Sequence, residues 1–140
     1  MLILSVFILL SMVGKSQSKE KEHPIDKDWR KCVESYGSNY SKSAMFECHD
    51  IAYKKWDAEL NNNYKILMGK LDETGKTALR NTQIAWIKFR DSEFKVLSSI
   101  QTILNESYYD EIALGNRREI VKQRVLELKS HFDNLEYFGL

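Results

Sequence analysis

The chain has 140 residues, with 21 Lys and Arg against 20 Asp and Glu and a formal net charge of +1. That length fits one domain with a modest core. Nucleic acids and anionic membrane surfaces are captured by clustered Lys and Arg, so the near-neutral balance argues against both as partners. The two cysteines and three histidines show no ligand-like repeat, and we expect neither a metal nor a cofactor.

The N-terminus has the pattern of a secretory signal peptide. Residues 2–13 form an almost uninterrupted apolar run, small residues follow, and a strongly charged stretch begins at Lys19. The run has about 12 residues, whereas a stable membrane span needs roughly 20. We therefore predict cleavage of residues 1–18 and export of a single domain, residues 19–140, that is periplasmic or secreted and has no stable membrane span. Loss of Lys15 leaves 20 basic and 20 acidic residues.

Cys32 and Cys48 are the two cysteines of the chain. In an exported protein an even count predicts a disulfide. This bridge would close a loop of about 15 residues and contribute about 3 kcal/mol in the chain-entropy model. A catalytic thiol is the alternative, but no partner base is marked in the sequence.

The sequence predicts a helical chain, because it contains one proline and no sustained alternation of apolar and polar residues typical of strands. A first helix is predicted to start near Asp26, and residues 43–71 keep the three-or-four apolar spacing of a long second helix. Residues 72–75 are predicted to break that helix and connect it to an antiparallel third helix that ends near Asn105. The expected fold is all-α, a small bundle of about four helices with one long antiparallel hairpin and one disulfide.

The helical periodicity fades over residues 105–116, which predicts an exposed irregular loop. Asn116 with Glu119 resembles a capping pair at the start of the final helix. Tyrosines combined with carboxylates suit the cleft of a carbohydrate hydrolase, although an ordinary polar connection is the alternative. The candidate partner-binding residues of this loop are Glu106, Tyr108, Tyr109, Asp110 and Glu111.

Two helical segments place polar residues beside aromatic ones. A hairpin of the second and third helices could set Asp57 or Asn61 against Arg90 or Gln83, and such charge-assisted bonds would fix the register of the two helices. Direct contact with a partner is the alternative. The predicted structural network contains Asp57, Asn61, Gln83, Arg90 and Asp91, and its aromatic neighbours Trp56, Tyr64, Trp86 and Phe89 are predicted to pack in the core.

Enzyme activity is not expected. The sequence contains no nucleophile with an adjacent base, no glycine-rich phosphate loop and no series of metal ligands. An enzyme acting on cell-wall material through carboxylates of the second helix, such as Asp57, is a weaker alternative, because charged residues are common on any solvated helix.

From Cys32 to Leu128 the chain resembles the LprI-type lysozyme-inhibitor N-terminal domain family, small exported helical domains of bacteria. The chain departs from the family in having no cysteine after Cys48, where members often have a second pair. The residues that carry the resemblance are Cys48, Asp57, Leu60, Asn61, Tyr64, Leu67, Leu71, Gln83, Trp86, Arg90, Asp91, Arg124, Glu127 and Leu128.

The resemblance implies an exported, disulfide-bearing helical domain and, for some members, inhibition of lysozyme. We therefore expect a non-enzymatic binding protein whose protein partner is a lysozyme-like cell-wall hydrolase. The alternative is an envelope interaction or structural module with a non-hydrolase partner.

Overall fold

The computed structural model describes residues 22–139, and the predicted signal segment lies outside them. The described residues form four α-helices and one short 3-10 turn, with no strand among them. The all-α fold is therefore confirmed. The helices are α1 (Pro24–Tyr36), α2 (Lys42–Lys70), α3 (Glu73–Leu104) and α4 (Ser107–Tyr137).

Side-chain caps fix where α2 and α3 begin. The Ser41 side chain accepts a hydrogen bond from the Ala44 backbone N–H at the start of α2. Asp72 does the same for α3, accepting from the Gly75 N–H at 2.7 Å. The prediction that residues 72–75 all lie in a break is therefore wrong: only Leu71 and Asp72 connect the helices, because the Asp72 cap starts α3 at once.

The prediction of an irregular loop over residues 105–116 is also wrong, because most of these residues are helical. Asn105 ends α3 in the left-handed conformation, with φ of 48°, and its N–H donates to the Gln101 carbonyl. Asn is one of the few non-glycine residues that tolerate this conformation. Helix α4 then begins at Ser107, so Asn116 lies inside the helix and caps nothing.

Tertiary contacts explain why the first turns of α4 are helical despite their weak periodicity. Ala113 is fully buried. Asp110 forms an ion pair with Lys42 of α2 and accepts a hydrogen bond from Gln101 of α3. These contacts tie the start of α4 to two other helices, which overrides a weak local propensity.

Helix α4 packs most closely against α2, and the two run parallel. Lys42 meets Asp110 near the start of both helices, and Asn63 donates to the Val125 carbonyl further along both. Helix α1 runs antiparallel to α2, and the confirmed disulfide between Cys32 and Cys48 joins them.

Helix α3 returns antiparallel to α2, so the predicted hairpin is present, and α3 also packs antiparallel on α4. The rings of Tyr53 on α2 and Phe94 on α3 lie 6.2 Å apart. Only Leu79 and Leu97 of α3 are buried. Most of the α3 surface therefore remains accessible.

The core lies between α1, α2 and α4, with Leu79 of α3 at one end. Trp56 is completely buried, and Tyr64 and Trp86 pack against the same cluster, as predicted. Phe89 does not: it is 54% exposed, because it lies on the side of α3 that no helix covers closely. Within residues 22–139, none of the helices combines the length and the apolar character that crossing a membrane requires.

Candidate functional site

A groove of about 590 Å³ runs between α3 and α4. The two helices run antiparallel on either side of it, and its lining includes the buried side chain of Leu97. We call this surface the α3–α4 groove. Its lining residues are Trp86, Phe89, Glu93 and Leu97 of α3 and Asn116, Glu119, Ile120, Gln123, Arg124 and Glu127 of α4.

Exposed apolar side chains continue the groove along α3. Phe89, Val96 and Ile103 recur every seven residues and are 54%, 51% and 77% exposed. Residues seven apart lie on nearly the same side of an α-helix. Together they form a stripe from the groove to the end of α3, which we call the α3 stripe.

Acidic residues outnumber basic ones in the lining of the groove. Three of its ten lining residues are glutamates, and Arg124 is the one cation among the ten. Glu127 is paired with Arg124 at 2.7 Å. Glu119 lies 3.9 Å from Lys122, but the ammonium of that lysine forms a shorter ion pair, of 2.7 Å, with Asp26 of α1. Glu93 and Glu119 therefore leave net negative charge at the groove.

Arg124 is buried at the base of the groove, with 6% of its surface exposed. Its Nε donates to the Oε1 atom of Gln83 on α3 at 3.0 Å, and its Nη1 donates to the Oε2 atom of Glu127 at 2.7 Å. Its Nη2 is buried with no hydrogen-bond partner among the described residues. The guanidinium thus links α3 to α4 at a fixed position.

The five residues of the predicted polar network fall into three hydrogen-bonded groups. Asn61 donates to the backbone carbonyl of Asp57 at 2.8 Å, within α2. Arg90 donates to Asp91 at 2.7 Å, within α3. Gln83 accepts a hydrogen bond from Arg124 and so connects α3 to α4.

Tyr53 lies between two of these groups. Burial raises the pKa of its hydroxyl, the positive charge of Arg90 opposes the rise, and the carboxylates of Asp57 and Asp91 add to it. Arg90 also lies over the rings of Trp86 and Phe94, at 5.4 and 5.9 Å. The structure therefore brings Arg90 towards α2 through an aromatic neighbour that the sequence did not mark.

The predicted partner-binding residues lie on the first turns of α4. Tyr108 is 76% exposed in the first turn of α4. Asp110 is bound by Lys42 and Gln101, which lower the pKa of its carboxyl. Glu111 lies near Tyr40, whose pKa is raised by burial and then by that carboxylate. The remaining members, Glu106 and Tyr109, are exposed and half-buried respectively.

A second pocket, of about 400 Å³, lies between α2, α3 and α4 beside His49. Burial, and then the charge of Arg118, lower the pKa of His49 from 6.5 to about 4. The Arg118 guanidinium donates to the Nδ1 atom of His49 at 3.3 Å and stacks on Trp29 at 4.0 Å. His49 is therefore neutral at pH 7, with its proton on Nε2.

Sequence reasoning missed the α3–α4 groove, although a signal was present. The seven-residue recurrence of Phe89, Val96 and Ile103 lies beside Glu93, with no lysine or arginine on that side of the helix. Of these three, Phe89 was interpreted as a core residue. Among residues 22–139, no group of three or more His, Cys, Asp and Glu side chains could hold a metal ion.

The sequence model of the family described as Lysozyme inhibitor LprI matches residues 32–128, well over half of the chain. The chain belongs to the LprI family. The predicted resemblance is thus confirmed, and the LprI match contains both disulfide cysteines and all ten residues of the α3–α4 groove. No curated protein and no solved structure matches the chain.

Proposed function

We propose that this LprI chain is an exported, non-enzymatic protein that binds and inhibits a lysozyme-like cell-wall hydrolase. The family match over residues 32–128 carries the proposal. The disulfide between Cys32 and Cys48 supports export, because disulfides persist mainly in oxidising compartments outside the cytosol. The predicted signal peptide, residues 1–18, would direct that export.

The surface supports a protein partner. Contiguous exposed apolar side chains on a small soluble domain mark interaction sites, and the α3 stripe provides such a surface. Aromatic residues are enriched in the centres of protein interfaces. The exposed rings of Phe89 on the stripe and Tyr108 in the first turn of α4 are candidates for this role. Glu106, Tyr108, Tyr109, Asp110 and Glu111 stay a predicted part of the partner-binding surface.

The chemistry of the carboxylates supports a binding role over an enzymatic one. Asp57 receives a hydrogen bond from Asn61, and Asp91 is held by Arg90. Both carboxylates therefore already have partners within their own helices, and the matching family is described as lysozyme inhibitors. The D57N and D91N variants should therefore retain full inhibition.

The direct test is a titration of purified residues 19–140 against animal-type, goose-type and phage-type lysozymes on a cell-wall substrate. We expect saturable loss of activity of at least one enzyme at micromolar inhibitor. An unrelated neutral helical protein at the same concentration is the control for nonspecific effects.

The alternative, an envelope module, makes a different prediction. If no hydrolase is inhibited at micromolar excess, and a pull-down from envelope extract captures one abundant non-hydrolase protein, the inhibitor proposal is wrong. A module of that kind would use the same exposed α3 stripe, so the enzyme assay is the step that separates the two.

A further inference from the structure

We propose that the α3–α4 groove is the surface that receives the hydrolase, and that it takes a basic segment of that enzyme, a Lys or Arg side chain flanked by apolar ones. This inference rests on the proposed function and assigns it a site and a partner chemistry. Charge, apolar exposure and geometry each support it.

Charge is the first argument. A chain with equal numbers of acidic and basic residues in its predicted mature form has no general attraction for a cation. The groove differs from that average. Glu93 has no ion pair among the described residues, Glu119 has only a 3.9 Å ion pair with Lys122, and the single groove arginine, Arg124, is buried and paired with Glu127. A basic side chain entering the groove would meet two carboxylates across its width, one from each helix.

Apolar exposure is the second argument. Trp86, Leu97 and Ile120 line the groove between the glutamates, and Phe89 stands exposed at its edge. Apolar walls lower the local dielectric, so an ion pair made there is stronger than one on an open surface. A purely hydrophilic cation would leave these walls uncovered, so the fitting segment combines a cation with apolar side chains.

Geometry is the third argument. From Trp86 to Leu97 the groove follows about 16 Å of helix α3, enough to accept several residues of a partner. Arg124 of α4 joins the two walls through its hydrogen bond to Gln83 of α3, and Glu127 of α4 fixes the orientation of its guanidinium. A preformed groove needs little ordering on binding, which favours affinity.

The predicted residues at the start of α4 form a competing surface, but less of its charge is available. Asp110 is neutralised by Lys42, and Glu111 faces the buried Tyr40 hydroxyl. Glu106 is the remaining acidic member. The observations therefore favour the groove as the site for a cation.

The experiment compares binding kinetics of charge variants against a hydrolase that the wild type inhibits. The test variants are E93Q/E119Q and E93K/E119K. The matched control E59K/E136K changes net charge by the same amount at two glutamates outside the groove. Circular dichroism and melting temperature confirm that each variant is folded.

We expect the association rate to fall stepwise, with a modest loss for the glutamine variant and at least about a tenfold loss for the lysine variant, because rim charges act mainly on the on-rate. The salt dependence of association should flatten in the glutamine variant. The control should keep the wild-type inhibition constant within about twofold.

Each other outcome overturns the inference. Equal inhibition by wild type and E93K/E119K would remove the groove from the interface and leave the proposed function standing. Loss of inhibition in Y108A with no effect of E93K/E119K would assign binding to the start of α4 instead. Inhibition of no hydrolase by the wild type would overturn both proposals.

Discussion

At the scale of single residues, Arg124 is a buried cation whose partners come from two helices. Burying a charge is costly unless it is paired and hydrogen-bonded. Gln83 and Glu127 satisfy two of its nitrogens, and Nη2 is already without a partner among the described residues. Removal of a further partner should therefore be expensive.

We expect Q83A to lower the free energy of unfolding by about 1–3 kcal/mol, because it leaves the Nε donor of Arg124 buried and unsatisfied. Urea denaturation at pH 7 measures the loss. The control is Q123A on the neighbouring helix, an exposed glutamine whose removal should change stability by less than about 0.5 kcal/mol. Equal effects of the two variants would contradict the role of Gln83.

His49 makes stability depend on pH. Burial, followed by the charge of Arg118, lowers its pKa to about 4 from 6.5. A histidine held neutral in the fold takes up a proton more readily when unfolded. The contribution of His49 to the free energy of unfolding is therefore fully present above about pH 6.5 and is lost as the pH falls from there towards 4.

Between pH 7 and pH 5 the wild type should lose about 2 kcal/mol of stability that H49Q does not lose, from the linkage relation. Glutamine keeps an acceptor for Arg118 but does not titrate. H131Q, at an exposed histidine, is the control and should follow the wild type. Parallel pH profiles of wild type and H49Q would show that His49 titrates normally in the fold.

At the scale of elements, α1 is a short helix fastened to α2 by one covalent bond. Its 13 residues bury only Ile25, although Trp29 packs partly against the core. Ion pairs from Asp26 to Lys122 and from Asp28 to Lys55 add contacts to α4 and α2. The disulfide therefore limits how far α1 can separate in the unfolded chain.

We expect C32A/C48A to lose about 3 kcal/mol of stability, since the bridge closes a loop of about 15 residues. Reduction of the wild type should lower the melting temperature to that of the double variant. Two free thiols together with an unchanged melt would show that the disulfide contributes no stability.

The elements differ in how much the sequence could predict. Helix α2 was predicted within one residue at each end, because its apolar spacing is regular throughout. The start of α4 could not be predicted, because its helical state depends on contacts of Asp110 with Lys42 and Gln101 from distant helices. Local propensity contains no information about such partners.

Part of the candidate site could also be predicted from the sequence, and part depends on the fold. The aromatic residues of the groove are visible in the sequence, but periodicity alone cannot tell a covered face of α3 from an open one. Phe89 and Val96 have the spacing of core residues and are exposed, because α4 covers only one side of α3. Arg124 was marked by the resemblance, whereas its bond to Gln83 required the fold.

At the scale of the whole molecule, one cluster of side chains joins all four helices. Trp56 belongs to this cluster and is completely buried. The centroids of its ring and the His23 ring lie 4.3 Å apart, and the Lys122 ammonium lies 5.8 Å from the centroid of the Trp56 ring. Val121 and Leu128 of α4 belong to the same cluster. Loss of this one side chain would affect contacts of several helices at once.

W56A should therefore cost about 3–5 kcal/mol, the usual range for removing a buried aromatic side chain. The free energy of unfolding of a small domain is typically about 5–15 kcal/mol in total. The variant should therefore be marginally folded or unfolded at 37 °C, and near-ultraviolet circular dichroism measures this. The control Y137A removes an exposed aromatic and should melt close to the wild type.

The parallel pairing of α2 and α4 has a consequence for the order in which the chain can fold. Because α3 must run about 48 Å back before α4 can start, the partners of α2 lie some 70 residues further along the chain. During synthesis α1 can pack on α2 early and place the His23 ring against Trp56, but the α4 side of Trp56 stays uncovered until Val121 and Leu128 are made. The main apolar surface of α2 therefore stays incompletely covered until nearly the whole chain has been synthesised, which exposes the intermediate to aggregation over that interval.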